Sequence, residues 1–497
     1  MSKYDVVIVG SGLGGLECAT MLSKEGYHVC VLEKNPIIGG CLQSFRRNGH
    51  LLDTGFHYIG SLDPGQILHQ YFKYFGILDK IKLRRLDDEA FDVINYEGRE
   101  YKYAMGYERF VDTLAESFPS EREGLKQYAQ RVKCVCDLIG VDHLKKGIIS
   151  VGGMEYFSQS ASQMIEESVK DEKLRNILAG NVTLYGGERD NSMLYHHAMI
   201  NGSNIEGAYR IVDGTQSVAD AFVDAIRANG GEVLRGKEVS RFVVENDKIT
   251  AVEVNGSERV EAKYFISNLH PATTFDLVDK TKNVKKAYLT RLNTTPNTYG
   301  LFTVYLIMKK DSFPYINRNY YLHEGTDAWY ATAHPEDKRI KFALVCNQAN
   351  SHNEKFADVV TILSPMFFDE VAQWSNTSVE RRGNSYKEFK QVKAEEIVDF
   401  TARYIPNIRD CVEKMYTATP LTYRDYTATP EGSAYGISKS YKNPLISLIP
   451  TKTKIENLFL TGQNLNVHGA LGVTLTATLT CSELLGKEYL AKKIGAV

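Results

Sequence analysis

No charge of one sign dominates this chain: 59 Lys and Arg face 61 Asp and Glu, for a net charge of -2. That balance leaves no basic face of the kind that nucleic-acid binding requires. No apolar run approaches the roughly 18 residues of a membrane span. The eight cysteines form neither a CxxC pair nor a metal-ligand spacing, so no disulfide framework and no metal site is indicated. Internal repeats and low-complexity tracts are missing. The start "MSKYDVV" enters a strand at once and leaves no room for a signal peptide, so the chain reads as cytoplasmic. Tryptophan is scarce at 2 residues, whereas 30 Tyr and 21 Phe would suit either a large apolar cavity or an ordinary core. With 497 residues, 43% apolar and 24% charged, the composition is that of a globular enzyme with roughly two domains.

What is present begins at residue 4. "YDVVIVG" is a β-branched run suited to a buried parallel strand. Gly10, Gly12 and Gly15 follow in GxGxxG spacing, then a helical stretch, then "HVCVLEK" as a second strand ending at Glu33. In that pattern the first glycine makes the turn and the second admits a pyrophosphate. The third lets helix and strand pack closely, and the helix N-terminus meets the phosphates. Glu33 would accept hydrogen bonds from the adenosine ribose and repel a 2′-phosphate, which disfavours NADP and leaves FAD and NAD.

The next glycine pair, Gly39-Gly40, and then Asp53-Thr54-Gly55 resemble the second cofactor loop of flavoproteins, with a plain turn as the alternative. Near the end, "IENLFLTGQNLNVHGALGVTL" predicts a strand at 458–460, a turn at Gly462 and a helix from about Ala470. Unpaired N–H groups and the dipole of that helix would stabilise an anionic reduced flavin ring. Packing on the sheet is the simpler role for the same helix, and the two are compatible.

Between these ends, residues 90–105 read as a hairpin around Glu97-Gly98, and helices extend to about residue 200. A helix, strand, hairpin and strand follow, ending at Ile266, where the chain rejoins the first sheet. "YGLFTVYLIM" and "KFALVCNQAN" suggest a second, mainly antiparallel sheet, followed by helical "AEEIVDFTARYIP". The expected division is a discontinuous cofactor domain (1–95, 205–275 and 425–497) and a substrate domain (96–204 and 276–424).

Taken together, "VVIVGSGLGGLECATMLSKEGYHVCVLEKN", "GGCLQSF", "LLDTGFHYIG", "YRIVDGTQSVADA" and "NLFLTGQNLNVHGALGV" resemble the phytoene desaturase, carotenoid isomerase and retinol saturase family of flavoproteins. "TGFHYIG" and "LYGGERDNSMLYHHAMINGSNIEGAYRIVDG" echo the retinol saturase branch. The resemblance implies an α/β fold: a Rossmann-type FAD-binding domain of the amine-oxidase-like kind, with a second α+β substrate domain over the flavin. It implies FAD contacts at Gly10, Gly12, Gly14, Gly15, Glu33, Lys34, Gly40, Val239 and Gly462. Cys41 stands where many relatives carry a basic residue. The implied substrate is a lipophilic polyene or isoprenoid whose C–C bonds gain or lose hydrogen. Retinol saturase-like reduction is the leading reading, and desaturation or carotenoid isomerisation the alternative. A flavin amine oxidase and a non-catalytic lipid-binding flavoprotein are the rivals. Because only one dinucleotide fingerprint is present, NAD(P)H would bind transiently or an external protein would exchange the electrons.

Catalytic candidates are His57 and Tyr58, just past the second loop, and His468, before the last helix. Either histidine could handle a proton near neutral pH; each could equally hydrogen-bond locally or shape a turn. His196 and His197 are adjacent on a predicted helix, so at most one is expected to reach a cavity. Asp87-Asp88 reads as a solvated turn, and Cys134 and Cys136 as core. The stretch Leu125–Ile139, with Arg122, Lys126, Arg131, Lys133, Lys145 and Lys146 around it, fits either a core-facing helix or an element lying on an anionic membrane.

Overall fold

The computed structural model describes residues 3–150, 153–334 and 339–497. The opening strand Tyr4–Val9 is parallel to Val29–Glu33 on one side and to Glu258–Ser267 on the other. Its Val6, Val7 and Ile8 are wholly buried, as expected where helices cover both faces of a parallel sheet. Glu232–Arg235 extends the sheet beyond Val29–Glu33, and the hairpin Val239–Glu245 and Lys248–Val254 continues it on the far side. Leu458–Leu460 returns from the end of the chain and pairs in parallel with Glu258–Ser267. Helix Leu13–Lys24 packs against both Gln216–Ala228 and the last long helix, Gly469–Leu485.

The last long helix is buried along most of its length. Thr474, Thr476, Thr478 and Thr480 each return a hydroxyl to the carbonyl four residues earlier, so polar side chains sit in the core with their donors satisfied.

A second seven-stranded sheet runs in the order Val412–Ala418, Gly300–Met308, Val359–Met366, Phe342–Asn347, Asn319–His323, Asp92–Tyr96, Arg99–Tyr103. All its pairs are antiparallel except Asn319–His323 with Asp92–Tyr96. Asp92–Tyr96 corrects one expected boundary: most of it falls in the cofactor segment 1–95, yet it hydrogen-bonds into the second sheet. Helix Asn384–Ala402 supplies Ile397, Val398 and Phe400 to the core on one face of this sheet.

The amphipathic stretch is a core helix, Arg122–Asp137. Leu125, Tyr128, Val132 and Val135 are fully buried, so its apolar face is already covered by protein. Arg122, Arg131 and Lys133 pair with Asp112, Glu167 and Asp137. Of the two roles expected for this element, the core-facing one is what its apolar face takes. Among the described residues, no helix is long and apolar enough to cross a membrane.

Candidate functional site

The strand–turn–helix at the start of the chain forms one wall of a trough of about 340 Å³. Gly10 makes the turn with φ of +95°, a conformation costly for any residue with a Cβ. At Gly15 the reason is contact: a Cβ there would lie 2.1 Å from the Gly10 carbonyl oxygen. Gly10, Gly12, Gly14, Glu33, Lys34, Gly40, Val239 and Gly462 all line the trough, whereas Gly15 lies behind it.

Glu33 ends its strand with one carboxylate oxygen accepting from the Ser11 N–H and hydroxyl (3.0 and 2.6 Å) and the other from the Asn35 N–H (2.8 Å). A carboxylate has about four lone-pair directions. Glu33 therefore braces the glycine turn and keeps limited capacity for a ribose hydroxyl. The Lys34 ammonium donates to the Asp425 carbonyl at 2.7 Å, which ties this strand end to the chain's return segment.

The trough's far end receives the N-terminus of Gly469–Leu485. No side chain caps that helix, and Gly469, Ala470 and Val473 face the trough. Free N–H groups at a helix start favour an electron-rich group there. These features fit a flavin dinucleotide: a glycine turn for its pyrophosphate, an acid near its ribose, and a helix start for its ring.

Beyond the helix start the trough opens into a second cavity of about 170 Å³. Phe56, Cys41, Tyr435 and Ala470 belong to both spaces and mark their junction. Leu68, Leu184, Ile200, Leu301 and Phe342 give the inner cavity an apolar wall, and among the described residues no acidic side chain lines it. Burial pushes the Cys41 thiol up to about 11, so the position carries a neutral group at the junction. Tyr435 at the junction and Asn268 in the trough wall escaped sequence reasoning, because neither stands in a stretch whose spacing signals a ligand.

His57 and Tyr58 reach this inner cavity. The ring of His57 opens onto it while the surrounding protein removes it from bulk water. Burial and the nearby Arg210 guanidinium push His57 down to about 4, so it is neutral at pH 7. His468 does not line either space. Its Nε2 is held at 2.8 Å from the Tyr185 carbonyl oxygen, and its ring packs on Tyr435 and His196. Burial beside His196 and Lys439 keeps it well below the usual imidazole range. Of the two roles expected for His468, local hydrogen bonding is the one these contacts display. His196 and His197 are also absent from the cavity wall. His197 sits between the hydroxyls of Tyr128 and Tyr185 at 2.8 and 2.9 Å, a core histidine with both nitrogens occupied.

Tyr58 leads to residues that sequence reasoning missed. Its hydroxyl donates to Asp92 Oδ2 at 3.0 Å and lies 2.5 Å from the Tyr321 hydroxyl. Asn319 donates to Asp92 Oδ1 at 2.9 Å and accepts from the buried Arg210 at 2.8 Å. Burial pushes Asp92 up to about 7 against these bonds.

An acid with this shift binds its proton more tightly folded than unfolded, where its value is about 3.9. Stability is therefore lost as pH rises from about 4 through about 7, on the order of 3 to 4 kcal/mol from this group. Asp92→Asn cannot ionise, so urea titrations at pH 5 and pH 8 should differ less in the variant than in the parent. An identical pH difference in both proteins would remove Asp92 as the source.

The geometry agrees with comparison to known proteins. The profile of the family described as flavin containing amine oxidoreductase matches residues 13–288, more than half of the chain. The chain belongs to that family. It is 26% identical over 535 residues to human all-trans-retinol 13,14-reductase, covering 98% of this chain and 86% of the relative. Prolycopene isomerase 1, chloroplastic, of an Oncidium hybrid cultivar is 24% identical, over 93% of this chain and 80% of the relative. The solved structure of wild-type putrescine oxidase bound to putrescine superposes with a TM-score of 0.62 at 15% identity, covering 97% of this chain and 99% of its own. That likeness shows the amine-oxidase-like flavoprotein fold. The protein is an FAD-dependent oxidoreductase.

Proposed function

We propose that this enzyme reduces an activated or conjugated C=C bond of a long apolar polyene or isoprenoid substrate, in the manner of a retinol saturase, with electrons from an external donor. The observation that carries the reading is the apolar, acid-free cavity joined to the trough beside an uncapped helix start. An amine substrate would arrive as a cation, and such a wall offers it no counter-charge. The relatives named for a retinol reductase and a prolycopene isomerase point to the same substrate class.

Bound FAD would supply hydride transfer to or from a substrate carbon. The chain's own residues do the rest. Leu184, Ile200 and Phe342 exclude water from the polyene, and the helix start at Gly469 favours negative charge at the trough's end. Tyr58 lines the cavity and its hydroxyl donates to Asp92, which ties the cavity wall to a buried acid that can hold a proton near neutral pH. A single dinucleotide trough, taken by FAD, leaves NAD(P)H to bind transiently, or a protein to deliver electrons.

The test is anaerobic. The flavin is reduced chemically, a polyene alcohol such as retinol is added, and flavin absorbance and product mass are followed. Flavin reoxidation with loss of one substrate double bond supports saturation. A reaction of the oxidised enzyme alone, extending conjugation, would replace this reading with desaturation, and isomerisation would leave the substrate mass unchanged.

Tyr58→Phe and His57→Ala should each keep the flavin spectrum and lower turnover by about 100-fold or more, as for loss of a proton-handling group. Cys136→Ala, behind the cavity against Ala198, should stay within about twofold. Parent-like turnover in both cavity variants would make these two residues structural.

A further inference from the structure

Against His57 lies a further, much smaller chamber of about 10 Å³. Its wall includes His57, Arg210, Asn347 and Gln348. Each of these contributes a buried polar atom that has no hydrogen-bond partner among the described residues: His57 Nε2, Arg210 Nε, Asn347 Nδ2 and Gln348 Oε1. Arg210 is 1% exposed, and its terminal nitrogens are engaged with the Tyr315 hydroxyl, the Ile316 and Arg318 carbonyls and Asn319 Oδ1 at 2.7–3.1 Å. The Asp53 carboxyl, also in the wall, is held through Oδ1 by Ser44 and Thr215. Four buried orphans on residues that wall one small chamber are a costly arrangement unless something there answers them.

We propose that this chamber is a binding site for one ordered water molecule, and that the water fixes His57 in the tautomer with its proton on Nδ1. A space of about 10 Å³ is close to the room one water needs, and four partners match water's hydrogen-bonding capacity. The polarity of the set identifies the guest. Arg210 Nε and Asn347 Nδ2 can only donate, so they fill water's two acceptor positions. Gln348 Oε1 can only accept, so it takes one of water's two protons. The remaining proton points to His57 Nε2, which must then accept. An anion would satisfy the two donors but would face Gln348 Oε1 lone pair to lone pair, and it would require the opposite histidine tautomer. His57 forms part of the wall of both the chamber and the inner cavity, so the water determines which proton this ring carries at the substrate side of the protein. Neither the site nor the tautomer depends on which substrate the enzyme takes.

The experiment is nitrogen NMR of the flavin-loaded protein with labelled histidine, the His57 signals being identified by their loss in His57→Gln. The expected result is a neutral ring at pH 7 with a one-bond proton coupling at Nδ1 and a hydrogen-bonded, unprotonated Nε2. A protonated Nε2 in the parent overturns the proposal and indicates an anion or a direct protein acceptor. The second arm is Asn347→Asp, which replaces a donor by an acceptor. Water then gives its two protons to the new carboxylate and to Gln348, and His57 must donate, so the proton moves to Nε2. A folded variant that keeps its proton on Nδ1 also overturns the proposal. Should this variant not fold, the parent tautomer and a crystal structure showing water density within hydrogen-bond distance of the four atoms decide alone, and a chamber without that density refutes it.

Discussion

Gly15→Ala is expected to cost this protein its flavin. Purified parent should be yellow with FAD retained through gel filtration, and the variant should emerge nearly colourless. The added methyl would sit 2.1 Å from the Gly10 carbonyl oxygen, well inside contact distance. Neither group can move alone: Gly10 follows the strand whose Val9 pairs with Leu32, and Gly15 lies in the first turns of a helix locked against Gly469–Leu485. Strain of about 1 to 3 kcal/mol is typical when a tight contact is overfilled. If relief comes by displacing the glycine turn from the pyrophosphate, FAD affinity falls roughly 5- to 140-fold. Gly26→Ala is the control. Its φ of +83° disfavours a side chain, yet nothing lies within 4 Å of the new methyl, so the flavin should stay bound. Equal FAD content in the Gly15 variant and the parent, by absorbance of the released flavin, would rule out this account of the turn.

Arg210→Lys should destabilise the fold by about 2 to 6 kcal/mol although the charge is kept, because two buried acceptors would lose their donors at about 1 to 3 kcal/mol each. The guanidinium reaches two backbone carbonyls, a hydroxyl and an amide oxygen in different directions from one rigid plane. A lysine ammonium brings three donors from one point and cannot span that fork. Arg241→Lys offers the contrast: Arg241 is half-exposed beside Asp279, and such surface pairs contribute about 0 to 1 kcal/mol. Urea unfolding of both variants tests the difference. A loss at Arg210 no larger than that at Arg241 would show that the Arg210 network does not hold the start of strand Asn319–His323 in place.

The sequence by itself determined the trough, because its parts are neighbours in the chain. The turn at Gly10, the helix after it and the strand ending at Glu33 are fixed by local conformation and short-range packing, so spacing alone made them legible. The last helix was legible for the same reason, as a strand, a glycine turn and a helix in succession; the observed start at Gly469 adjoins the expected one at Ala470. Hydrophobic periodicity also located the helix Arg122–Asp137, although it could not say what that helix faces. An apolar stripe is the same whether protein or lipid covers it, and only the packed fold showed protein.

Tertiary structure alone decided the inner cavity and its chemistry. Tyr58 meets Asp92 across 34 residues of chain and Tyr321 across 263, and Arg210 joins them through Asn319. No periodicity links such positions, so a buried Asp in a strand and an Arg in a short motif read as ordinary residues. The histidines show the same limit. His57 and His468 have similar surroundings in sequence, each near a glycine in a loop, yet one opens onto the cavity and the other is turned to the Tyr185 carbonyl. Which way a ring points, and whether burial leaves it neutral, depends on groups brought together from distant segments. A proton's position is set by those partners and by the water they enclose, and the order of residues does not contain it.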